Sequence, residues 1–169
     1  MLIVKDSMIL IHLALGGVLR EACIMFGEVI IPHAVHKEVV ERGIETQHAD
    51  AHIVQKLEKE GHIKVVAVTQ TTLMDEMKNY GLRGGELETA VLYFQEKADL
   101  IASNDDKVRR LRLILNLDLI SSPEIVFMLA KNGVIAKQRA VECLGELKMI
   151  GWFSRDVLDS IIAEVEKLG

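Results

Sequence analysis

Six acidic residues stand where an α/β chain tends to build its chemistry. Asp6 closes the apolar run MLIVKD, and Glu38 follows HAVHK. Glu86 and Glu88 open the stretch after GLRGG, and the adjacent Asp105 and Asp106 follow ADLIAS. A carboxylate left unpaired against a buried strand is costly and calls for a cation, an arginine or water. Crowded carboxylates suit one task above others, the binding of a hard divalent cation. Mg²⁺ and Mn²⁺ take oxygen ligands, keep several waters, and are usually held directly by only one or two carboxylates. A pair of such ions can clamp the attacking and leaving oxygens of a phosphodiester displacement.

The elements that must position these acids follow from hydrophobic patterning. MLIVKD, EVIIP, HIKVVAVT, ADLIAS and LDLIS read as five buried strands, because continuous apolar runs mark strands covered on both faces. Helices are expected between them. Ser7 caps one running to about Leu15, and a short one lies within residues 17–27. Another runs from Pro32 through Arg42, then come residues 47–60 and 70–79, Glu86 to about Lys97, and Asn104 to about Asn116. Strands alternating with helices imply a parallel sheet covered on both faces. The carboxyl ends of parallel strands share one edge, so Asp6 and Asp105 must lie together. Beyond Pro123 only helices are expected, near 123–131, 136–148 and 154–168.

Spacing ranks the acids. Glu86 and Glu88 are two residues apart, so on a regular helix they point about 200° away from each other. Both reach one ion only if Glu86 sits in the very first turn. Asp106 has a plainer reading beside the ligand one, since an acid at a helix start gains about 0.3–1 kcal/mol from the helix dipole. Arg109, four residues after Asp105, shares its helical face and could meet a phosphate or neutralise the acids.

At this point the chain resembles the PIN-domain ribonucleases. IVKDSMILIHLA is similar to the first family signature, HKEVVERG to the second, and GGELETAVLYFQEKADLIASNDDKVRRL to the third and fourth run together. With the helical tail, the arrangement is most similar to prokaryotic PIN proteins akin to the toxins of toxin–antitoxin pairs. The resemblance implies a three-layer α/β/α domain over residues 1–121, with a sheet of about five strands, and a helical extension over 122–169 packed on it. It implies a Mg²⁺- or Mn²⁺-dependent endoribonuclease that leaves a 5′-phosphate and a 3′-hydroxyl. Matched residue by residue, Asp6, Glu38, Glu86 and Asp105 are the catalytic acids and metal ligands. Glu88 and Asp106 are accessory ligands, and Asp105 completes the family's Ser-x-Asp pattern as Ser103-Asn104-Asp105. Ser7 supports Asp6. Arg83, Lys107 and Arg109, with Lys37 and Arg110, are candidates for holding the RNA. A small antitoxin partner and a homodimer are also implied. The chain departs from the family after the fifth strand, where it reads SSPE.

Composition limits the alternatives. The chain has 169 residues, half of them hydrophobic, with a net charge of −5. An acidic balance argues against a general nucleic-acid coat, since phosphate affinity comes from Lys and Arg, but it suits a cation site. The two cysteines, Cys23 and Cys143, form no disulfide framework or zinc ribbon and read as core, which fits a reducing cytoplasm. The apolar stretch from Ser7 to Leu19 is too short to span a bilayer, and Lys5 and Asp6 interrupt a signal-peptide pattern. His48 and His52 share a helical face but lack a third ligand for zinc. One rival stands beside the nuclease, a non-catalytic RNA- or protein-binding module that keeps the fold. A phosphoacceptor receiver domain would need a Lys after the last strand, and LDLISSPE has none.

Overall fold

The computed structural model describes all 169 residues. Five parallel strands form one sheet in the order β3-β2-β1-β4-β5. They are β1 (Leu2–Lys5), β2 (Glu28–Pro32), β3 (Ile63–Val66), β4 (Leu100–Ala102) and β5 (Leu119–Ile120). The register pairs Ile3 with Val29 on one side and with Leu100 on the other. Alternate strand residues feed opposite layers, as the pleat requires. Ile3, Val29, Ile31 and Ala102 enter one core, while Val4, Ile30 and Ile101 enter the other. This is the three-layer α/β/α arrangement that the strand and helix pattern implies.

The first core packs the sheet against α1 (Ser7–Leu15), α2 (Leu19–Phe26) and α5 (Ala49–Lys59). It continues into the helical tail, α9 (Ser122–Lys131), α10 (Lys137–Ile150) and α11 (Arg155–Glu166), through Leu129, Leu144 and Leu158. The second core packs the opposite face against α6 (Thr71–Asn79), α7 (Gly84–Gln95) and α8 (Asp106–Leu111).

Four local expectations are corrected. Ser7 is the first residue of α1 and Asp6 is its cap, with Oδ1 accepting from the Ile9 amide at 2.8 Å. The helix expected from Pro32 through Arg42 is interrupted. It runs as α3 (His33–His36), a π-helical turn (Lys37–Glu41) and α4 (Arg42–Glu45), and the wide turn sends both Val39 and Val40 into the core. The helix expected from Asn104 starts after Asp105 and stops at Leu111. Its expected continuation leaves Leu113, 91 % exposed, and Ile114 in solvent, while Leu115 and Leu117 pack against the second core from outside the helix. The fifth strand is only two residues long.

Lys5 is the least expected member of the core. It is fully buried, with Nζ 3.9 Å from Cys23 Sγ and 5.5 Å from the centre of the Phe26 ring. Burial pulls its pKa down from 10.5, so the folded chain resists holding this proton while the unfolded chain keeps it. Stability from this residue therefore rises with pH between the lowered value and 10.5, and at neutral pH the residue is a cost. Lys5→Met is expected to raise the unfolding free energy at pH 7 by on the order of 1–4 kcal/mol, with the gain shrinking toward pH 10. Urea unfolding at both pH values checks this.

Candidate active site

The sheet order places the site. The chain runs from β1 outward to β2 and β3, then returns to lay β4 on the other side of β1. A reversal of this kind opens a crevice beyond the carboxyl ends of the two central strands. Asp6 follows β1 and Asp105 follows β4, so the two acids flank that crevice.

Helix starts fix most of the carboxylates. Asp6 Oδ1 caps α1, and its Oδ2 accepts from the Ser103 hydroxyl and from the Asn104 amide at 3.3 Å. Asp105 caps α8, its Oδ1 accepting from the amides of Lys107 at 2.7 Å and Val108 at 3.1 Å. Glu86 lies in the first turn of α7, its Oε1 accepting from the Arg83 amide at 3.3 Å. Glu38 stands on the π-helical turn, and its Oε2 accepts from the Ser7 hydroxyl at 2.7 Å. π-Turns inside helices often mark functional positions. The bonds to Asp105, Glu38 and Glu86 fall on one oxygen of each, which leaves the second for a ligand. Each helix start also presents its positive end to this edge, which favours anionic groups.

All four acids, with Ser7, line one hollow of about 220 Å³. Gly85 forms part of its wall. A Cβ added there would stand 3.2 Å from Glu38 Oε2 and 3.5 Å from Ser7 Oγ, so the hollow is open partly because this residue has no side chain. Asp6 is only 5 % exposed, and burial pushes its carboxyl up to about 6. Hydrogen bonds from Ser103, Ile9 and Asn104 oppose that rise, and the charge of Asp105 adds to it.

The acids do not close into a finished coordination sphere: no three His, Cys, Asp or Glu side chains gather around one point. A protein cation approaches instead, with Lys107 Nζ 3.3 Å from Glu86 Oε1. The donor set nonetheless fits a hard divalent ion. Every donor is oxygen, the carboxylates are spaced, and Mg²⁺ binds through one or two carboxylates while retaining water.

The remaining candidates fall elsewhere. Glu88 turns away from the hollow, and its Oε2 accepts from the Ala34 amide at 2.9 Å, capping the helix that leads to Glu38. Asp106 and Arg109 line a neighbouring hollow of about 470 Å³. Arg83 donates to the carbonyls of Lys78 at 2.9 Å and Leu82 at 2.6 Å. His48 and His52 are both exposed.

The bond to Ala34 gives Glu88 a capping contact and sets up a discriminating pair of variants. Glu88→Gln, which keeps an acceptor, is expected to retain activity within a few-fold. Glu88→Ala is expected to lose about 1 kcal/mol of stability, as capping residues do. A metal ligand would behave otherwise, with Gln nearly as damaging as Ala. Paired denaturation and activity assays separate the two.

Two contributors escaped the sequence reading. Asn104, 8 % exposed, ties the strand end to the tail: its Oδ1 accepts from the Ser122 amide at 2.9 Å, and its Nδ2 donates to Ser122 Oγ at 2.6 Å. Trp152, between α10 and α11, also lines the acid hollow, and its indole N–H donates to the Asn104 carbonyl at 3.1 Å. Asn104 sits in the polar run Ser103-Asn104-Asp105-Asp106, so its polarity alone did not single it out. Nothing local in the sequence links Trp152 to residues some fifty positions earlier.

Comparison with known proteins bears on the fold. No curated protein and no solved structure matches the chain. A family model described as a PIN domain matches residues 2–167, which takes in the tail helices as well as the sheet. The chain belongs to the PIN-domain family, whose members are generally nucleases that use divalent metal ions.

Proposed function

We propose that this protein is a Mg²⁺- or Mn²⁺-dependent endoribonuclease, with Asp6, Glu38, Glu86 and Asp105 as the residues that hold the ion. The observation that carries this reading is the convergence of four carboxylates from four separate segments on one hollow at the switch point of the sheet. Such an ion supplies charge neutralisation at the phosphate and lowers the pKa of a water, which are the two requirements of phosphodiester hydrolysis.

The chain's own residues do the rest. Asp6, held at both oxygens, is the rigid member of the set and the one that gains most from a cation. Ser7 orients Glu38 through its hydroxyl, leaving Glu38 Oε1 for the site. Lys107 is free to leave Glu86 and pair with a phosphate oxygen, since its side chain is more than half exposed. The starts of α1, α7 and α8 add donors and positive potential where a phosphodiester would lie. Similarity to toxin-type PIN proteins extends the reading to a toxin with a small antitoxin and a homodimeric assembly.

The test is cleavage of a mixed-sequence single-stranded RNA with Mn²⁺ or Mg²⁺, with and without chelator. Metal-dependent cutting that leaves 5′-phosphate and 3′-hydroxyl ends is the expected result. Tight metal binding by calorimetry with no cleavage of any RNA offered would favour the non-catalytic binding module.

A further inference from the structure

Trp152 is the chain's single tryptophan, and it stands on the wall shared by two hollows. One is the acid hollow. The other, about twice as large, is lined also by Arg109, Asn104, Gly151 and Phe153. Gly151 takes a left-handed turn at φ 79°, which ends α10 and returns the chain over the sheet edge, and Ser154 caps α11 immediately afterwards. The indole is therefore held from both sides in sequence. It is also anchored in space, by the bond to the Asn104 carbonyl and by an edge-on contact with the His12 ring at 6.0 Å. Despite these anchors the residue remains 51 % exposed. A large aromatic ring fixed at its polar edge yet half exposed leaves apolar surface in water, and stacking would recover it.

Resting on the ribonuclease reading above, we propose that Trp152 is a stacking platform for one unpaired base, so that the acid hollow receives the phosphate beside it and Arg109 meets the strand in the second hollow. The three groups that single-strand recognition requires then line two adjoining hollows: a phosphate site, an aromatic ring and a cation. Asn104 couples them, because its amide binds Asp6, its carbonyl binds the indole, and the next residue is Asp105. A base within a duplex cannot offer its face to the ring without being flipped out, so the platform selects single strands. The C-terminal helices thereby become part of substrate recognition. The exposed apolar neighbours Met149 and Val157 would suit a protein partner instead, but Arg109 and the shared wall with the acids favour a nucleic acid.

Because Trp152 is the only tryptophan, its emission reports the event directly. The full chain in Mg²⁺ is titrated with a short phosphorothioate oligoribonucleotide that resists cutting, then with an abasic strand of equal length and with a duplex. The single strand is expected to quench Trp152 strongly, and the abasic strand and duplex to bind more weakly with little quenching. Trp152→Leu should weaken binding by about 5- to 150-fold, the range that corresponds to one stacked base, whereas Trp152→Phe should retain most of the affinity. Melting temperatures of both variants guard against a folding defect. Equal affinity for abasic and ordinary strands, wild-type affinity in a folded Trp152→Leu protein, or emission that responds to protein concentration rather than to RNA would each overturn the proposal. The two readings fail separately. Quenching without cleavage leaves the platform standing and removes the nuclease. Metal-dependent cleavage with no quenching, and an unchanged KM in Trp152→Leu, does the reverse. Neither quenching nor cleavage with any strand removes both.

Discussion

Asp6→Asn is expected to reduce RNA cleavage by on the order of 10²-fold or more and, in chelator at pH 8, to make the protein more stable than wild type. The loss of cleavage follows from removing an ion-holding carboxylate, and the gain in stability from the burial of that same group. The folded carboxyl binds its proton more tightly than an unfolded one, with a pKa of about 6 against 3.8. That difference of about two units corresponds to about 3 kcal/mol. The sign follows from linkage. Below pH 3.8 the carboxyl is protonated in both states and costs nothing. Stability is lost as pH rises from 3.8 through 6, and above that the loss is complete. Asparagine removes the charge and can still accept from the Ile9 amide. Its –NH₂ would face the Asn104 amide, which offsets part of the gain, so a net increase of about 1–2 kcal/mol is expected at pH 8. The increase should vanish near pH 4. Mg²⁺ should raise the unfolding midpoint of wild type and leave that of Asp6→Asn unchanged, because a ligand stabilises only the state that binds it. Denaturant unfolding at the two pH values, with and without Mg²⁺, reads every part of this. A variant less stable than wild type at both pH values would contradict it.

Asn104→Ala is expected to cost about 3 kcal/mol of stability, with losses in activity to follow. The Ser122 amide can only donate, so the oxygen of the Asn104 side chain must face it and Nδ2 must face His12. His12 Nδ1, 2.8 Å away, is then the acceptor and its proton sits on Nε2, which is buried without a partner. Burial lowers the His12 pKa to about 4, keeping the ring in the neutral form that this bond needs. Truncation strands the Ser122 amide and His12 Nδ1 together, and each buried group left unpaired costs about 1–3 kcal/mol. It also loosens the strand end that carries Asp105. His12 itself stabilises the fold fully above pH 6.5 and less as pH falls through 4, a trend opposite to that of Asp6. Urea denaturation of Asn104→Ala at pH 7 tests the bond network, and a loss below 1 kcal/mol would show that it carries little.

The sheet was legible because strands buried on both faces write themselves as apolar runs, and the shared edge for Asp6 and Asp105 followed from parallel pairing alone. Other features were hidden for identifiable reasons. LDLIS reads as a strand, but that only two of its residues pair in β5 does not show in an apolar run. Ser7 resembles a cap as much as Asp6 does, and only tertiary contact shows that Asp6 caps α1 while Ser7 reaches Glu38. The π-turn around Glu38 arises from packing two adjacent valines, which no helical periodicity announces. The opposed directions of Glu86 and Glu88 could be derived from their spacing, but the attachment of Glu88 to Ala34 could not. Trp152 lies in a segment that reads simply as a helix junction, and its place beside the acids is a property of the tail's packing.

The most direct test of the account compares wild type with Asp105→Asn, a change at a partly exposed cap, in cleavage of one labelled single-stranded RNA across a Mn²⁺ titration. The account predicts cleavage that saturates with Mn²⁺ in wild type, disappears in chelator, and falls by on the order of 10²-fold or more in a folded Asp105→Asn protein. Equal rates for the two proteins, or cleavage indifferent to chelator, would contradict the claim that the acid hollow is where RNA is hydrolysed.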